Sequence, residues 1–183
     1  MSERKTAFAP VVDADTRVLI LGSLPGDLSL AAARYYANPR NRFWHLTGAV
    51  IGRPELPDLD YDARLAVLRA AGIGLWDAAA TATRPGSLDS AIRDIEPAEL
   101  AKLIRTLPQL QAIAFNGKTS ARIARPLLAE SGCTLIELPS SSPAHAALPY
   151  EHKRQAWLTL RQFLAPPIAK PLPCAANGGI GIV

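Results

Sequence analysis

Residues 17–44 read RVLILGSLPGDLSLAAARYYANPRNRFW, and this stretch decides the expected fold of the chain. Residues 17–22 contain an unbroken apolar run, which predicts a strand that is covered on both faces of a parallel sheet. The strand leads into Gly22-Ser23-Leu24-Pro25-Gly26, whose glycines and proline predict a sharp turn that can approach a ligand closely. Aromatic, amide and guanidinium side chains follow over residues 35–44. The stretch therefore predicts a strand whose far end carries the groups needed to hold a planar polar ring.

Short apolar segments and amphipathic helical patterns alternate along the rest of the chain. Further strands are predicted over residues 73–77, 112–115 and 134–138. Helices are predicted over residues 30–36, capped by Ser29, and over 43–51, 63–71, 97–107, 119–130 and 151–164. Strands that alternate with helices build a parallel sheet with helices on both faces. We therefore expect an α/β fold, a three-layer α/β/α sandwich with a four-stranded parallel sheet.

These elements place a single α/β domain over residues 17–164. Residues 1–16 are polar and contain proline, so we expect a loose N-terminal lead-in. Residues 83–90, TRPGSLDS, are typical of a turn-rich connection. Residues 165–183 carry four prolines and a Gly-Gly pair, which predicts a flexible C-terminal tail.

Composition excludes several classes of protein. The chain has 183 residues, 49% of them hydrophobic and 20% charged, as expected of one globular domain. The net charge of +4 permits contact with nucleic acid without requiring it. The two cysteines, Cys133 and Cys174, cannot supply the four ligands of an iron–sulfur cluster or of a Cys-only zinc site. No signal peptide or membrane span is recognisable, so we expect a protein of the reducing cytoplasm. We also expect a monomer.

Polar loops follow the predicted carboxyl ends of all the strands. They are Ser23–Gly26, Asp77, Asn116–Lys118 and Ser140–Pro143. In open parallel sheets, ligands bind in the crevice outside these ends. We therefore expect the loops to converge on one site. Asp77 itself has two equally good interpretations, as a helix cap or as a site residue.

Several motifs in this region resemble a known family. They read GSLPGDLSL at 22–30, YYANPRNRFW at 35–44, RPGSLDSAI at 84–92, FNGKTS at 115–120 and LPSSSPAHA at 138–146. In this order they resemble the uracil-DNA glycosylase superfamily, in particular its hypoxanthine-DNA glycosylases (family 6). The YANPRNRFW stretch is also similar to the mismatch-specific uracil and thymine glycosylases.

The resemblance implies a uracil-DNA-glycosylase-like fold and a role in base excision repair. It implies hydrolysis of the N-glycosidic bond of a deaminated base in DNA, above all hypoxanthine in deoxyinosine and also uracil or xanthine. The product is an abasic site, and no metal, iron–sulfur cluster or other cofactor is expected. Because no lysine is placed as a Schiff-base nucleophile, we expect a monofunctional enzyme without lyase activity.

Asn41 is the catalytic candidate that the resemblance implies. In relatives, the loop after the first strand reads G-x-N-P-G and its Asn positions the attacking water, whereas Leu24 stands at that place here. An amide is too weak a base to deprotonate water, so Asn41 would orient a water towards C1′ of an oxocarbenium-like sugar. The alternative is that Asn41 caps the helix starting at Arg42, and the two roles can coexist.

The expected base-binding residues surround this position. Tyr36 would stack on the extruded base, with Phe43 beside it, unless the tyrosine is simply a core residue. Asn116 could read a base edge, because its amide donates and accepts, or it could be a turn residue before Gly117. The backbone of Ser23, Leu24, Pro25 and Gly26 could hold a carbonyl of the leaving base.

The last loop and the helix before it supply the DNA-binding candidates. The resemblance implies that this loop pinches a phosphate and presses into the gap left by the extruded base. The candidates are Lys118, Ser140, Ser141, Ser142, Pro143 and His145. His145 stands where the resemblance leads us to expect Asn. The alternatives are an ordinary polar turn and a surface histidine.

Two other functions stay open from the residues alone. Leu24 favours a nucleic-acid-binding module that kept the fold without the chemistry. A hydrolase of free nucleosides or nucleotides would need the same ring-sized pocket.

Overall fold

The computed structural model describes residues 4–164. Its strands are β1 Arg4–Thr6, β2 Val18–Gly22, β3 Ile73–Asp77, β4 Ala79–Thr83, β5 Arg93–Pro97, β6 Ala112–Asn116 and β7 Thr134–Leu138. Its α-helices are α1 Asp27–Ala32, α2 Phe43–Ile51, α3 Tyr61–Ala70, α4 Leu100–Ile104, α5 Lys118–Ala124 and α6 Tyr150–Leu158. Short 3-10 helices lie at Leu56–Asp58, Asp89–Ala91, Arg125–Leu128, Pro143–His145 and Thr159–Phe163. The expected tail over residues 165–183 lies outside the described residues.

A four-stranded parallel sheet in the order β3-β2-β6-β7 forms the centre of the fold. Gly22 pairs with Asp77 and Asn116 pairs with Leu138, so the carboxyl ends of the strands meet at one edge. The predicted parallel sheet is confirmed. All five residues of β2 are buried, because the strand is central and both of its faces are covered.

Alternate residues of β2 enter different apolar clusters on the two faces of the sheet. Val18 and Ile20 pack in the cluster that holds Phe43, Leu68 and Trp157 of α2, α3 and α6. Leu19 and Leu21 lie in the opposite cluster, with Leu100 of α4 and Ala121 of α5. This arrangement confirms the three-layer α/β/α sandwich.

A second, antiparallel sheet was not predicted. It has the order β1-β4-β5, and Arg4 pairs with Thr83. The expectation of a loose lead-in over residues 1–16 is therefore wrong for β1, and Val11 also forms a bridge with Leu75. The sequence AATAT of β4 is mostly alanine, which is depleted in strands, and β1 consists of only the three polar residues RKT, which explains why both were missed.

Several helices differ from their predicted bounds. α1 begins at Asp27 and ends at Ala32, since Ala33 adopts a left-handed conformation with φ 49°. Ser29 lies inside α1 and accepts a hydrogen bond from the N–H of Ala37, at 3.2 Å, so it is not the predicted cap. α5 gives way to a 3-10 helix at Arg125, because the next residue is a proline and lacks an N–H. Within residues 4–164, no helix has the length and apolarity needed to cross a bilayer.

Candidate active site

A cavity of about 160 Å³ opens at the carboxyl edge of the parallel sheet. Its lining includes the last residues of β3 and β6, the loops after β2 and β7, and the segment between α1 and α2. An apolar cavity of about 150 Å³ is large enough for a benzene molecule, so the space suits a ring. The predicted crevice is therefore present.

Most of the predicted site residues meet at this cavity. Those that line it are Ser23, Leu24, Pro25, Gly26, Tyr36, Asn41, Asn116, Ser140, Ser141, Ser142, Pro143 and His145. Phe43 and Lys118 are outside the lining. Phe43 is completely buried, because the amphipathic helix α2 turns it towards the sheet, so its expected contact with a base is wrong. Lys118 is exposed at the start of α5.

Tyr36 and Phe43 form a stacked pair at the wall of the cavity. Their ring centroids are 3.6 Å apart and their planes differ by 6°. Phe43 in turn meets Trp44 and Trp157 edge to face. Burial raises the pKa of Tyr36 far above its ordinary value, so its hydroxyl stays neutral. Since Phe43 covers one face of the Tyr36 ring, the opposite face is the one left for a ligand.

The side chain of Asn116 is occupied by the protein itself. Its Oδ1 accepts from the N–H of Ser141 at 2.8 Å. Its Nδ2 donates to Ser141 Oγ at 2.9 Å and to the Tyr36 hydroxyl at 3.2 Å. An amide has only two N–H groups, so Asn116 keeps one acceptor lone pair for other partners. In this structure, it joins the tip of β6 to the last loop and to Tyr36.

Asn41 lies half-buried just before α2 and lines the cavity. Its Oδ1 accepts from the N–H of Phe43 at 3.0 Å. This bond satisfies the first N–H group of α2, but α2 begins at Phe43 with Arg42 at its N-cap position, so Asn41 is not the predicted capping residue. A carbonyl oxygen has a second lone pair, so the same hydrogen bond fixes the amide and leaves an acceptor for a water.

Arg84, which also lines the cavity, fixes the glycine turn after β2 by hydrogen bonds. This guanidinium is 1% exposed and donates to the carbonyl oxygens of Leu24, at 3.2 Å, and of Pro25. Arg84 also pairs with Asp89, whose carboxylate accepts from Ser23 Oγ at 2.7 Å. In a trans peptide the C=O and N–H point in opposite directions, so the N–H of Gly26 points away from Arg84. The turn is thus a fixed backbone surface.

Leu24 occupies the place of the water-positioning Asn expected in relatives. Its side chain is buried in a small cluster with Ala79, Ala82 and Ile92. It therefore contributes an apolar contact to the lining and anchors the turn on the second sheet.

The last loop is held from α6 and α2. Lys153 is buried and its Nζ donates to the carbonyl oxygen of Ser140 at 2.8 Å. Trp157 Nε1 donates to the Pro139 carbonyl oxygen at 3.0 Å. The Ser141 carbonyl oxygen accepts from the N–H of Arg42, also at 3.0 Å. These bonds place His145, which is exposed, at the rim of the cavity.

Asp77 ends β3 and is buried at the cavity, with 4% of its surface exposed. The chain continues into β4, so the alternative role as a helix cap is wrong. A Cβ added to Gly22 would come within 2.4 Å of Asp77 Oδ1, which explains the need for glycine there. Burial raises the pKa of Asp77 to about 7, with Arg84 opposing and Asp89 reinforcing the shift. Among the described residues, no group of three or more His, Cys, Asp or Glu side chains could hold a metal ion.

The sequence of this chain matches a known protein family. The family model of the uracil DNA glycosylase superfamily matches residues 9–161. The chain belongs to the uracil DNA glycosylase superfamily.

Relatives within the superfamily cover most of the chain. A protein of Methanosarcina barkeri named hypoxanthine DNA glycosylase is 41% identical over 142 residues, which are 78% of this chain and 89% of the relative. A protein of the same name from Methanosarcina acetivorans is 43% identical over 141 residues, 77% of this chain and 88% of the relative. A solution NMR structure from Methanosarcina acetivorans, provisionally named a uracil DNA glycosylase, matches with a TM-score of 0.79 and 38% identity. The match covers 88% of this chain and 99% of the chain in the NMR structure.

Two residues of this superfamily fold were missed by the sequence analysis. Arg84 was part of a segment interpreted only as a turn, and the single signal for it was its place in the RPGSLDSAI motif. Lys153 lies on α6, for which the sequence predicted only a helix. Its burial depends on how α6 packs, which no local pattern shows.

Proposed function

We propose that this protein is a DNA glycosylase that removes a deaminated base by hydrolysing its N-glycosidic bond. Hypoxanthine in deoxyinosine is the proposed main substrate, with uracil and xanthine as further ones. The observation that carries the proposal is the ring-sized cavity at the sheet edge, bounded by the Tyr36 ring and with Asn41 in its lining. Relatives named hypoxanthine DNA glycosylase support the choice of base.

In this proposal, the base leaves the stack and enters the cavity. Extrusion costs a few kcal/mol and is cheapest for a mispaired base. The free face of the Tyr36 ring recovers part of this cost, because stacking contributes about 1–3 kcal/mol per base. Phe43 packs against the other face of the ring. The Tyr36 side chain is therefore already ordered, and binding a base costs little of its conformational entropy.

Hydrolysis then depends on positioning. Asn41, oriented by its bond to the Phe43 N–H, directs a water to C1′ while the sugar develops positive charge. The N–H groups of Leu24 and Gly26 are the backbone donors of the turn that can stabilise negative charge on the leaving base, since Pro25 has no N–H. The water supplies OH to C1′ and a proton to the departing base, and an abasic site remains.

The last loop and the neighbouring helix would hold the DNA backbone. Ser140 and Ser142 offer hydroxyls at the cavity for a phosphate, and His145 at the rim would enter the gap in the stack. Lys118 lies outside the cavity and suits a more distant phosphate contact. We further propose that the protein acts as a monomer, in the cytoplasm, without a metal or other cofactor.

A base-excision panel tests this function. Oligonucleotides that contain hypoxanthine, uracil or xanthine, single-stranded and double-stranded, are incubated with the protein and treated with alkali. Strand scission at the deaminated base is expected, with none at adenine in a matched duplex.

Leu24 favours one other candidate, a nucleic-acid-binding module without chemistry. Binding of these oligonucleotides, with no scission at stoichiometric protein, would establish that candidate instead. Release of base from free deoxyinosine, with none from any oligonucleotide, would establish a nucleoside hydrolase.

A further inference from the structure

We propose that the carboxyl group of Asp77 recognises the base, by pairing with the adjacent N–H and C=O groups that hypoxanthine, uracil and xanthine share. The inference rests on the proposed function and names the group in the site that reads the substrate. It concerns a residue for which the sequence alone left a structural and a functional role equally open.

The first observation is an unused polar atom in the wall of the cavity. Asp77 is 4% exposed, and its Oδ2 is the one buried side-chain nitrogen or oxygen, within residues 4–164, that has no hydrogen-bond partner. Buried polar atoms nearly always have partners, so such an exception needs an explanation. Because Asp77 lines the cavity, a ligand there can supply the missing partner.

The second observation concerns Asn116, the other side chain at the cavity that could recognise the base. Asn116 was expected to read the base, but both of its N–H groups are engaged with Ser141 and Tyr36. It can therefore accept one hydrogen bond and cannot donate to a base carbonyl without breaking this network. Asp77 is also buried at the cavity, and its neutral carboxyl can both donate and accept without breaking this network.

The protonation state decides which partner Asp77 fits. The charged and titratable groups around it are Tyr35 and Tyr36, which burial keeps neutral, and the opposed pair Arg84 and Asp89. Burial outweighs these charges and raises the pKa of Asp77 to about 7. A neutral carboxyl presents an O–H donor beside a C=O acceptor, which matches a base C=O beside an N–H. Two hydrogen bonds then form in one plane, and the orphaned oxygen is satisfied.

Two substitutions separate recognition from structure. Asp77→Asn keeps a neutral donor beside an acceptor, whereas Asp77→Ala keeps neither. We measure single-turnover excision of hypoxanthine from about pH 5 to 9, a range that spans the raised pKa. Wild-type activity is expected to fall as pH rises through the titration of Asp77, because the ionised carboxylate cannot donate to the base carbonyl.

Asp77→Ala is expected to lose about tenfold or more in excision below neutral pH, since a missing polar partner in such a site is costly. Asp77→Asn is expected to retain most of the wild-type rate and to lose the decline with pH. Affinity for a duplex that contains a tetrahydrofuran abasic analogue should stay unchanged in both variants, because that ligand has no base to read.

The inference is overturned if Asp77→Ala excises hypoxanthine at the wild-type rate. It is equally overturned if Asp77→Asn is as defective as Asp77→Ala, or if Asp77→Asn keeps the pH dependence of the wild type. A loss of affinity for the abasic analogue that matches the loss of excision would assign Asp77 a structural role instead. If the wild-type protein excises no deaminated base at all, the proposed function fails, and this result is distinct from the others.

Discussion

The ring of Tyr36 lies flat on the ring of Phe43, with the centroids 3.6 Å apart. Tyr36 is held there by three constraints: this stacking, a left-handed backbone with φ 53°, and a hydrogen bond from Asn116 to its hydroxyl. A non-glycine residue in that backbone region is uncommon and is often found at functional sites. The pair is therefore a preformed platform, since the ring needs no reordering to accept a base.

Replacing Tyr36 separates its ring from its hydroxyl. Tyr36→Ala removes the platform, and we expect excision to fall about 10-fold to 100-fold, because stacking contributes about 1–3 kcal/mol per base. Tyr36→Phe keeps the ring and loses only the acceptor for Asn116, so we expect a change of a few fold at most. Single-turnover excision of hypoxanthine measures both variants. Equal losses in the two would show that the hydroxyl, and not the ring, is what matters.

The double role of Asn41 can be resolved by a variant that keeps one of its functions. Asn41→Ala should lower excision by about 100-fold or more, as for the loss of a positioned polar group in other active sites, while duplex binding persists. It should also cost about 1 kcal/mol of stability, because the N–H of Phe43 loses its hydrogen-bond partner.

Asn41→Ser is the matched control for the lost hydrogen bond. A serine hydroxyl can form the same local bond to the N–H two residues further on, but its shorter side chain cannot reach the same water. We expect the stability of Asn41→Ser to return towards wild type while its excision stays low. An active Asn41→Ser would reduce Asn41 to a structural residue and would remove it from the mechanism. Chemical unfolding and the excision assay provide the two measurements.

The parallel sheet was predictable because its strands are mainly apolar segments between clear breaks. Residues 18–22 needed no tertiary information, since a strand covered on both faces is apolar throughout, and residues 73–77 are apolar as far as Asp77. The convergence of the loops followed from topology, because strand ends that share an edge bring their loops together. The second sheet has neither property. Its strand β4 is made of alanine and threonine, and its partner β1 has only three residues.

The parts of the site that were missed depend on packing between distant segments. Arg84 is 60 residues from the Leu24 carbonyl that it binds, and Lys153 is 13 residues from that of Ser140. The place of Phe43 depends on Tyr36 lying between it and the cavity, and helical periodicity shows only that Phe43 faces inward. Residue type and spacing thus located the site, whereas the residues that hold its loops in place could be identified only from the three-dimensional structure.

Arg84 should be a strong determinant of stability. Arg84→Lys replaces a planar fork with a single ammonium, which cannot serve the carbonyl oxygens of Leu24 and Pro25 together with Asp89. Each buried acceptor left without a partner costs about 1–3 kcal/mol, so we expect a loss of about 2 kcal/mol or more in the free energy of unfolding. The control is Arg93→Lys on the exposed strand β5. It should change the free energy of unfolding by about 0.5 kcal/mol or less. Urea unfolding compares the two. A loss no greater for Arg84→Lys than for Arg93→Lys would show that the turn holds itself.

The raised pKa of Asp77 should make stability depend on pH in a direction that can be stated in advance. The pKa is about 7 in the folded protein and 3.8 in its ordinary state. As pH rises between these values, the unfolded chain releases the Asp77 proton and the folded chain retains it, so unfolding becomes more favourable. The effect is complete above about pH 7 and amounts to a few kcal/mol, at about 1.4 kcal/mol per pKa unit.

Asp77→Asn cannot ionise and avoids this cost. The free energy of unfolding of Asp77→Asn minus that of wild type should therefore increase from about pH 4 to pH 7 and then stay constant. Urea unfolding of both proteins across this range measures the difference, and a difference that is flat with pH would show that Asp77 ionises normally in the fold.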